Sequence, residues 1–321
     1  MSGFDITALG ELLIDYTQVG VSPSSMELYE QNPGGAPANV LACAAKLGHK
    51  TAFLGKIGAD AQGEFLRNTL HSVGINTDGL ITDDSVFTTL AFVSLSNNGE
   101  RRFSFARKPG ADTHLSRDEL ELSVIRTSRI FHFGSLSLTD EPARGATRFA
   151  ISEAGKAGCI ISYDPNYRPL LWKSEAQAKE MARSVLPYVD MIKLSEEETE
   201  LITGFTEPDR AAKYLVDSGI DIAAVTLGEK GVLIASNDGC DTVPGFEVST
   251  VDTTGAGDAF WGAFLFSVGK LRKKPCEIDF SEILRISRFS NAAAALCVTK
   301  RGAIPSMPLL REVEELLSGR Q

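Results

Sequence analysis

Apolar, strand-like runs alternate with helix-like segments along almost the whole of this 321-residue chain. Most of these runs are continuously apolar, as strands covered on both faces are. Strands are predicted at residues 6–9, 52–55, 130–133, 160–163, 191–194 and 222–227. Helices are predicted between them at residues 38–47, 64–73, 142–157, 175–186 and 209–218. This alternation indicates right-handed crossovers and an α/β fold with a doubly wound, mostly parallel sheet flanked by helices.

One part of the chain departs from that alternation. Residues 88–95 and 101–106 alternate apolar and polar side chains around a turn signal at residues 97–100, which predicts an antiparallel hairpin. Residues 13–29 lack helical periodicity and are expected to join it. We therefore expect a single domain, 1–321, with a small antiparallel β lid made of residues about 13–32 and 86–108. A substrate lid and a subunit interface both remain open for this sheet, and its hairpin edge predicts a homodimer through the lid.

The charge balance argues against some partners. The chain has a net charge of −10 and a pI near 5.0, whereas a nucleic-acid-binding protein needs a basic face. The first residues lack the basic start and apolar run of a signal peptide, and no apolar stretch is long enough to cross a bilayer. We therefore expect a cytoplasmic protein with neither nucleic-acid nor membrane partners.

Polar residues follow several of the predicted strands. Asp15 comes after the first strand, residues 34–39 open the first long helix, and residues 164–168 and 226–231 follow two later strands. Because the carboxyl ends of parallel strands meet at one edge of an open α/β sheet, these groups are expected to share a ligand site. Each alone has an ordinary explanation, such as a glycine turn or a local hydrogen bond. Their convergence favours a ligand with several hydroxyl groups.

A glycine-rich loop leads into an apolar helix at residues 252–266. A helix start leaves backbone amides unpaired, and the small residues Gly255, Ala256 and Gly257 would let a phosphate approach them closely. The carboxylate of Asp258 would repel a phosphate, so it fits better as a base for a hydroxyl that attacks phosphorus. An acidic residue in the first turn of an ordinary helix explains the same letters. These residues alone leave both interpretations open, and the chain has neither a P-loop nor a Rossmann fingerprint.

Longer stretches carry a family resemblance. Residues 34–48 and 55–63 resemble the first signature of the ribokinase-like (PfkB) carbohydrate kinases, and residues 252–263 resemble the second. The match extends over nearly the whole chain. Within that family, residues 10–15, 103–112, 130–135 and 164–172 are most similar to fructokinases. Leu41 is a small departure, because these proteins usually carry a smaller residue there.

The resemblance implies an ATP-dependent sugar kinase, most similar to enzymes that convert D-fructose and ATP to D-fructose 6-phosphate and ADP. It implies that Asp258 takes the proton of the sugar's primary hydroxyl. The amides of Gly255, Ala256 and Gly257 would then form an anion hole for the transferred phosphoryl group. The implied sugar-binding positions are Asp15, Gly34, Gly35, Asn39, Arg107, Arg168 and Asp258.

The resemblance also implies a nucleotide site and two kinds of metal ion. The implied ATP-binding positions are Ser195, Glu198, Thr226, Gly228, Gly231, Gly255, Gly257 and Asn291. Ser195 replaces the Asn of the family's motif, and Glu198 is expected to orient water around Mg²⁺. A monovalent cation, expected to be K⁺, is implied beside the anion hole at Asp252, Thr254, Cys297, Lys300, Gly302 and Ser306.

Two alternative functions stay open. The chain could phosphorylate another acceptor, such as 2-keto-3-deoxygluconate, ribose or a nucleoside, because Arg107 and Arg168 could also bind an acid. It could instead be a sugar-binding regulator that has lost catalysis. The intact sequence of Gly255, Ala256, Gly257 and Asp258 disfavours the regulator.

Overall fold

The computed structural model describes residues 3–95 and 101–319, and strands recur along both stretches. In these described residues the strands are β1 (Ile6–Leu9), β2 (Leu13–Val21), β3 (Glu27–Gly34), β4 (Thr51–Gly58), β5 (Asn76–Asp83), β6 (Leu90–Leu95), β7 (Arg101–Ala106), β8 (Ile130–Gly134), β9 (Ile160–Asp164), β10 (Met191–Ser195), β11 (Ile222–Thr226), β12 (Val232–Ser236) and β13 (Gly239–Val243). They form two sheets.

Nine strands form the large sheet, in the order β13-β12-β11-β10-β9-β8-β1-β4-β5. The pairings from β11 through to β5 are all parallel; Ile6, for example, stands opposite both Thr51 and Ile130. Among the described strands of this sheet, β12 alone runs in the opposite direction to the others, since it pairs antiparallel with both β11 and β13. The prediction of a doubly wound, mostly parallel sheet is confirmed.

Helices follow most of the parallel strands. Within the described residues the α-helices are α1 (Ala36–Lys46), α2 (Ala61–Ser72), α3 (Leu122–Arg126), α4 (Ala143–Lys156), α5 (Glu175–Arg183), α6 (Thr199–Thr203), α7 (Pro208–Asp217), α8 (Ala256–Leu271), α9 (Phe280–Cys297) and α10 (Leu310–Leu317). Asp60 caps α2 by accepting a hydrogen bond from the amide of Gly63, and Ser174 caps α5 in the same way. The five predicted helices are present, with ends displaced by no more than three residues.

The large sheet separates two apolar cores. Helices α1, α8 and α9 pack on one face, where Ile6 and Ala8 of β1 belong to their core. Helices α4, α5 and α7 cover the other face, to which Leu9 points. The largest buried side chain on α8 is Trp261, whose indole Nε1 donates to the hydroxyl of Ser162 at 2.9 Å. This bond satisfies the indole N–H of Trp261 and fixes α8 against β9.

Four strands form the small sheet, in the order β3-β2-β6-β7. The hairpins β2–β3 and β6–β7 are antiparallel, and they join side by side through a parallel pairing of β2 with β6. The predicted hairpin and its companion segment are therefore both present. The turn predicted at residues 97–100 lies outside the described residues.

Three strands of the large sheet were missed by the sequence predictions. β5 carries polar residues and a glycine, and so has no apolar run to detect. β12 and β13 are joined by the two residues Asn237 and Asp238, which is the length of a tight hairpin loop. The latter pair extends the sheet by one antiparallel hairpin beyond β11.

Candidate active site

A deep cleft lies between the carboxyl edge of the large sheet and the small sheet. Its volume is about 1480 Å³, whereas pockets for one small ligand usually measure roughly 300–1,000 Å³. The small sheet contributes one wall, with Leu13, Asp15, Thr17, Val93 and Phe105. The cleft is therefore large enough for two substrates placed end to end.

Most of the residues predicted from the sequence line this cleft. They are Asp15, Gly35, Asn39, Arg168, Ser195, Glu198, Thr226, Gly228, Asp252, Thr254, Gly255, Ala256, Gly257 and Asp258. The cleft lining does not include Gly34, Arg107, Gly231, Asn291, Cys297, Lys300, Gly302 or Ser306. The structure thus brings the proposed base, the glycine-rich loop and much of the predicted sugar site together.

Asp258 lies in the first turn of α8, where the loop before the helix turns into the cleft. Its Oδ2 accepts a hydrogen bond from Nδ2 of Asn39 at 2.7 Å. Removal from water raises the pKa of the Asp258 carboxyl, while the nearby Lys193 cation and the Asn39 bond oppose that rise. A carboxylate with a raised pKa is a better proton acceptor, because its proton affinity is closer to that of its partner.

The loop before α8 depends on glycine. Gly255 has a φ of +80°, and a Cβ there would stand 2.7 Å from the Cβ of Ala303. The amide of Ala256 makes only a long bond, 3.3 Å, to the carbonyl of Thr253. The first amides of a helix have no acceptor within the helix. This turn therefore presents donors and positive partial charge to the cleft.

Asp15 lies beside the glycine pair, and Asp15 and Gly35 both line the cleft. A Cβ on Gly34 would collide with Oδ2 of Asp15, and a Cβ on Gly35, whose φ is +119°, would collide with the carbonyl oxygen of Glu11. Burial raises the pKa of Asp15 to about 6, although Arg168 opposes the rise. Oδ1 of Asn39 is buried and has no hydrogen-bond partner. The unpartnered Oδ1 of Asn39 and the carboxylate of Asp15 both line the cleft, as a ligand rich in hydroxyl groups requires.

The two predicted arginines lie in different surroundings. Arg168 is exposed in the cleft, and its guanidinium donates to the carbonyl of Tyr167 at 3.0 Å. Arg107 is buried, and it donates to Asp112, to the hydroxyl of Thr139 and to the carbonyl of Leu136. Its ion pair with Asp112 measures 2.7 Å. Arg107 therefore supports the wall behind the cleft.

The predicted nucleotide residues fall into two groups. Ser195 and Thr226 end neighbouring strands at the cleft, and Glu198, shortly after Ser195, is a buried carboxylate. The oxygens of Glu198 accept the amides of Tyr167 at 2.6 Å and Ser195 at 2.8 Å, and burial raises its pKa. Asn291 instead donates to the carbonyls of Val243 and Pro244 outside the cleft lining, each at 3.0 Å. Gly231 likewise packs against the backbone that follows β13.

The residues predicted to hold a monovalent cation lie together beside the glycine-rich loop. Oδ1 of Asp252 accepts the amide of Thr254 at 3.0 Å, and Oδ2 accepts the amide of Gly302, also at 3.0 Å. The hydroxyl of Ser306 contacts Sγ of Cys297 at 3.3 Å and donates to the carbonyl of Gly302. The side chain of Lys300 points away to Glu312, so only its carbonyl remains for such a site. Carbonyl and hydroxyl oxygens suit hard cations.

Two buried charged residues were missed by the sequence predictions. Lys193 lies in the middle of β10, and its Nζ forms a 2.6 Å ion pair with Asp164 at the end of β9. Glu11 follows β1; one of its oxygens accepts the amide of Ala36, and the other has no partner. Both residues line the cleft. A lysine inside the otherwise apolar run 191–194 was the available signal, because a buried lysine needs a partner.

Within residues 3–95 and 101–319, no group of three or more His, Cys, Asp and Glu side chains is arranged to hold a metal ion. None of the helices in the same stretches is long and apolar enough to cross a membrane.

A family model described as pfkB family carbohydrate kinase matches residues 4–310. The chain belongs to this family. As a pfkB carbohydrate kinase it is a phosphotransferase with an alcohol group as acceptor, which confirms the enzyme class expected from the sequence.

Similar proteins cover this pfkB kinase almost from end to end. Fructokinase-2 of Oryza sativa subsp. japonica is 43% identical over 317 residues, which are 98% of this chain and 94% of that protein. Probable fructokinase-5 of Arabidopsis thaliana is 41% identical and covers 98% of both chains. The resemblance to fructokinases is therefore confirmed over the full length.

Solved structures give the same fold. Fructokinase from Xylella fastidiosa with bound ATP superposes with a TM-score of 0.89 at 32% identity, covering 98% of each chain. Fructokinase from Vibrio cholerae O395, in a form that binds fructose, ADP and calcium ion, has a TM-score of 0.87 at 31% identity. It covers 99% of this chain and 100% of that one. The ribokinase-like fold class expected from the sequence is confirmed.

Proposed function

We propose that this pfkB kinase is an ATP-dependent fructokinase, which converts D-fructose and ATP to D-fructose 6-phosphate and ADP. The observation that carries the proposal is the hydrogen bond of 2.7 Å between Asn39 and Asp258. It joins the glycine-rich helix start to the polar end of the same cleft, so that one carboxylate faces both substrates. Relatives named fructokinases, at 41–43% identity, support fructose as the acceptor.

The polar end of the cleft fits a sugar. Asp15 would accept hydrogen bonds from sugar hydroxyls, and the unpartnered Oδ1 of Asn39 is a second acceptor. Gly34 and Gly35 have no side chains, so the sugar would be able to approach the main chain there. A side chain at either position would also collide with Asp15 or Glu11. Arg168 lines the same end and would donate to a hydroxyl or a carbonyl oxygen. Arg107 would act from behind through its fixed ion pair.

The charge of the cleft fits ATP bound with magnesium. Three basic side chains line the described cleft, Arg168, Lys193 and Arg301. Eight acidic ones do so, namely Glu11, Asp15, Glu30, Glu196, Glu197, Glu198, Asp252 and Asp258. A polyphosphate would be repelled by this excess unless a divalent cation came with it. Magnesium would neutralise phosphate charge, and Glu198 would orient its water.

The chain's own residues would divide the reaction between positioning and proton transfer. Asn39 holds the Asp258 carboxylate toward the acceptor. Asp258 takes the hydroxyl proton as the sugar oxygen bonds to the γ-phosphorus and the bond to the leaving oxygen of ADP breaks. The amides of Gly255, Ala256 and Gly257 would stabilise the transferred group. The residues Ser195, Thr226, Gly228, Gly231 and Asn291 would serve the remainder of the nucleotide.

Further parts of the proposal concern the surroundings of the site. We propose K⁺ as the monovalent cation at the Asp252 and Gly302 loops, whose contacts supply an oxygen-rich setting. Residues of about 13–32 and 86–108 would act as a lid on a single domain, and the exposed side of the small sheet would join two copies in a homodimer. The cytoplasmic location stays a prediction.

A panel of acceptors at fixed ATP, with ADP release as the readout, tests the function. We expect the highest kcat/KM for fructose, compared with 2-keto-3-deoxygluconate, ribose and a nucleoside. A preference for 2-keto-3-deoxygluconate would overturn the substrate assignment while leaving a sugar kinase. Sugar binding without ADP release for any acceptor would favour the regulator.

A further inference from the structure

Lys193 is the most deeply placed cation of the cleft. It interrupts an apolar strand between Ile192 and Leu194, yet its side chain is only 7% exposed. A buried ammonium is costly unless a carboxylate pairs with it. Asp164 supplies that pair at 2.6 Å from the neighbouring strand. The strand positions therefore fix the ammonium at the carboxyl edge of the sheet.

The ammonium also faces the glycine-rich loop. A Cβ on residue 257 would stand 3.1 Å from Nζ of Lys193. Glycine at this position therefore leaves a path between the ammonium and the cleft, and both residues line the cleft. Gly255 is explained by its left-handed backbone, whereas Gly257 has no positive φ to explain it. Access for Lys193 is a physical reason for a glycine at 257.

The surroundings keep Lys193 protonated. Burial would lower the pKa of its ammonium, but Asp164, Glu198 and Asp258 together raise it above the ordinary value. His132 lies nearby as well, and burial lowers its pKa to about 4, so it adds no charge at neutral pH. Lys193 is thus suited to donate a hydrogen bond without losing its proton.

We propose that Lys193 is a further catalytic residue, whose ammonium passes beside Gly257 to donate a hydrogen bond to the phosphoryl group during its transfer. The proton of the acceptor hydroxyl goes to Asp258, the electron pair of the broken bond leaves on the ADP oxygen, and Lys193 keeps its proton throughout. Asp164 is the positioning residue that anchors the ammonium. The inference rests on the proposed kinase function but not on fructose as the acceptor.

Lys193→Met tests the proposal on whichever acceptor the wild-type enzyme uses best. We expect kcat to fall about a hundredfold or more, as when one donor to a developing charge is removed, with KM for the sugar little changed. The affinity for ADP, aluminium fluoride and sugar together, which imitate the transition state, should fall by a similar factor, while the affinity for ADP alone stays near wild type. Lys193→Arg should recover part of both losses.

Lys56→Met is the matched control. Lys56 is also a buried lysine of the large sheet, with ion pairs of 3.2 Å to Asp83 and 2.6 Å to Glu119, but it does not line the cleft. Its loss should lower the melting temperature and leave kcat and the aluminium fluoride complex near wild type. If Lys193→Met behaves like Lys56→Met, the proposal is wrong.

A second variant covers the case in which Lys193→Met does not fold. The pair Asp164→Asn with Lys193→Met removes both charges, so that no buried carboxylate is left unpaired. Wild-type kcat and wild-type affinity for the aluminium fluoride complex in the pair would overturn the role of Lys193. Loss of both, with sugar binding kept, would support it. A wrong assignment of fructose as the acceptor would instead appear only in the kcat/KM values of the wild-type enzyme with the panel of acceptors.

Discussion

The large and small sheets differ in how completely their strands are covered. Every residue of β1, β4, β8 and β9 is buried, whereas the first five residues of β3 are all exposed. The large sheet carries Asp164 and Lys193 and supports the helix of Asp258. The small sheet carries Asp15. The groups proposed for phosphoryl transfer therefore stand on the more fully covered sheet, while part of the acceptor site stands on the sheet with fewer buried residues, which can move at lower cost.

Substitution of Asp258, on the helix α8 that packs against the large sheet, should have the strongest effect on activity. Asp258→Asn keeps the size of the side chain and an oxygen for the bond from Asn39, but it removes the proton acceptor. We expect kcat to fall about a thousandfold, as when a positioned base is lost, with sugar binding largely kept. Steady-state kinetics and sugar titration measure the two quantities separately.

Asp209→Asn is the control for that substitution. Asp209 is an exposed acidic residue in the first turn of α7, so it matches Asp258 in helix position but lies outside the cleft lining. Its substitution should leave kcat unchanged. Near wild-type activity in Asp258→Asn would show that Asp258 is not the catalytic base but an ordinary acidic residue in the first turn of a helix.

The second prediction concerns the contact that fixes the small sheet to the body of the molecule. Arg107 follows β7 directly, and its guanidinium is buried in an ion pair with Asp112. Arg107→Met leaves that carboxylate without its partner, so the free energy of unfolding should fall by about 3–5 kcal/mol. Urea denaturation measures it.

Arg126→Met is the matched comparison for Arg107. Arg126 pairs with Glu153 at 2.5 Å, but its side chain is 55% exposed, so its loss should change the free energy of unfolding by less than about 1 kcal/mol. Equal effects of the two substitutions would contradict the buried support role of Arg107. A raised KM for the sugar without loss of stability would instead make Arg107 a direct sugar ligand.

The sequence predicted the large sheet better than the small details of the site. Continuous apolar runs identified the central strands, because strands covered on both faces leave that pattern. β5 has no such run, and the hairpin of β12 and β13 was passed over although its two-residue connection carries Asn237 and Asp238. The local pattern of apolar residues indicates which residues are buried. It does not indicate which strands pair, because pairing depends on residues far away along the chain.

The candidate site shows the same limit. Family signatures identified Asp258, Gly255 and Gly257, since their chemistry is local to one loop. Glu11 and Lys193 were not identified, because a charged residue beside apolar neighbours reveals its partner only after folding. Arg107 was identified as a sugar ligand from its segment, whereas in the structure its donors are directed at Asp112, Thr139 and Leu136. Its direct sugar contact stays a prediction.

Glu11, which follows β1 of the large sheet, is a buried carboxyl whose titration should change the stability of the protein. Burial raises the pKa of Glu11 from 4.5 to about 7, with Asp112 adding to the rise and Arg107 opposing it. The folded state therefore binds this proton more tightly than the unfolded state does. The stability linked to it is complete below about pH 4.5 and is lost as the pH rises through 7.

Glu11→Gln should remove this loss of stability. At pH 8 the variant is expected to be more stable than the wild type by about 3 kcal/mol, the equivalent of the difference between the two pKa values. At pH 4.5 the difference should be small, because the carboxyl is then protonated and the amide of Ala36 keeps its acceptor. Urea denaturation at both pH values measures it, and a constant difference between the proteins would contradict the linkage.

The smallest expected effect on folding is on the exposed side of the small sheet. Val19 and Val21 of β2, Met26 of the turn after it and Leu28 of β3 are all exposed; Val19 and Val21 also line the cleft, whereas Leu28, which is 46% exposed, does not. Leu28→Gln should change the free energy of unfolding of the monomer by no more than about 0.5 kcal/mol, as surface substitutions do. If this side joins two copies, the same substitution should shift the protein from dimer to monomer in sedimentation velocity.

Leu309→Gln separates that effect from a general loss of surface hydrophobicity. Leu309 is 43% exposed and precedes α10, far from the small sheet along the chain. Leu309→Gln should sediment as the wild type does. If Leu28→Gln and Leu309→Gln both remain dimers, the subunit contact lies elsewhere. If the wild type is itself a monomer, no subunit contact explains the exposed apolar side chains of the small sheet. A monomeric Leu28→Gln with normal stability would show that the small sheet is exposed because assembly covers it, whereas the large sheet is covered by the chain itself.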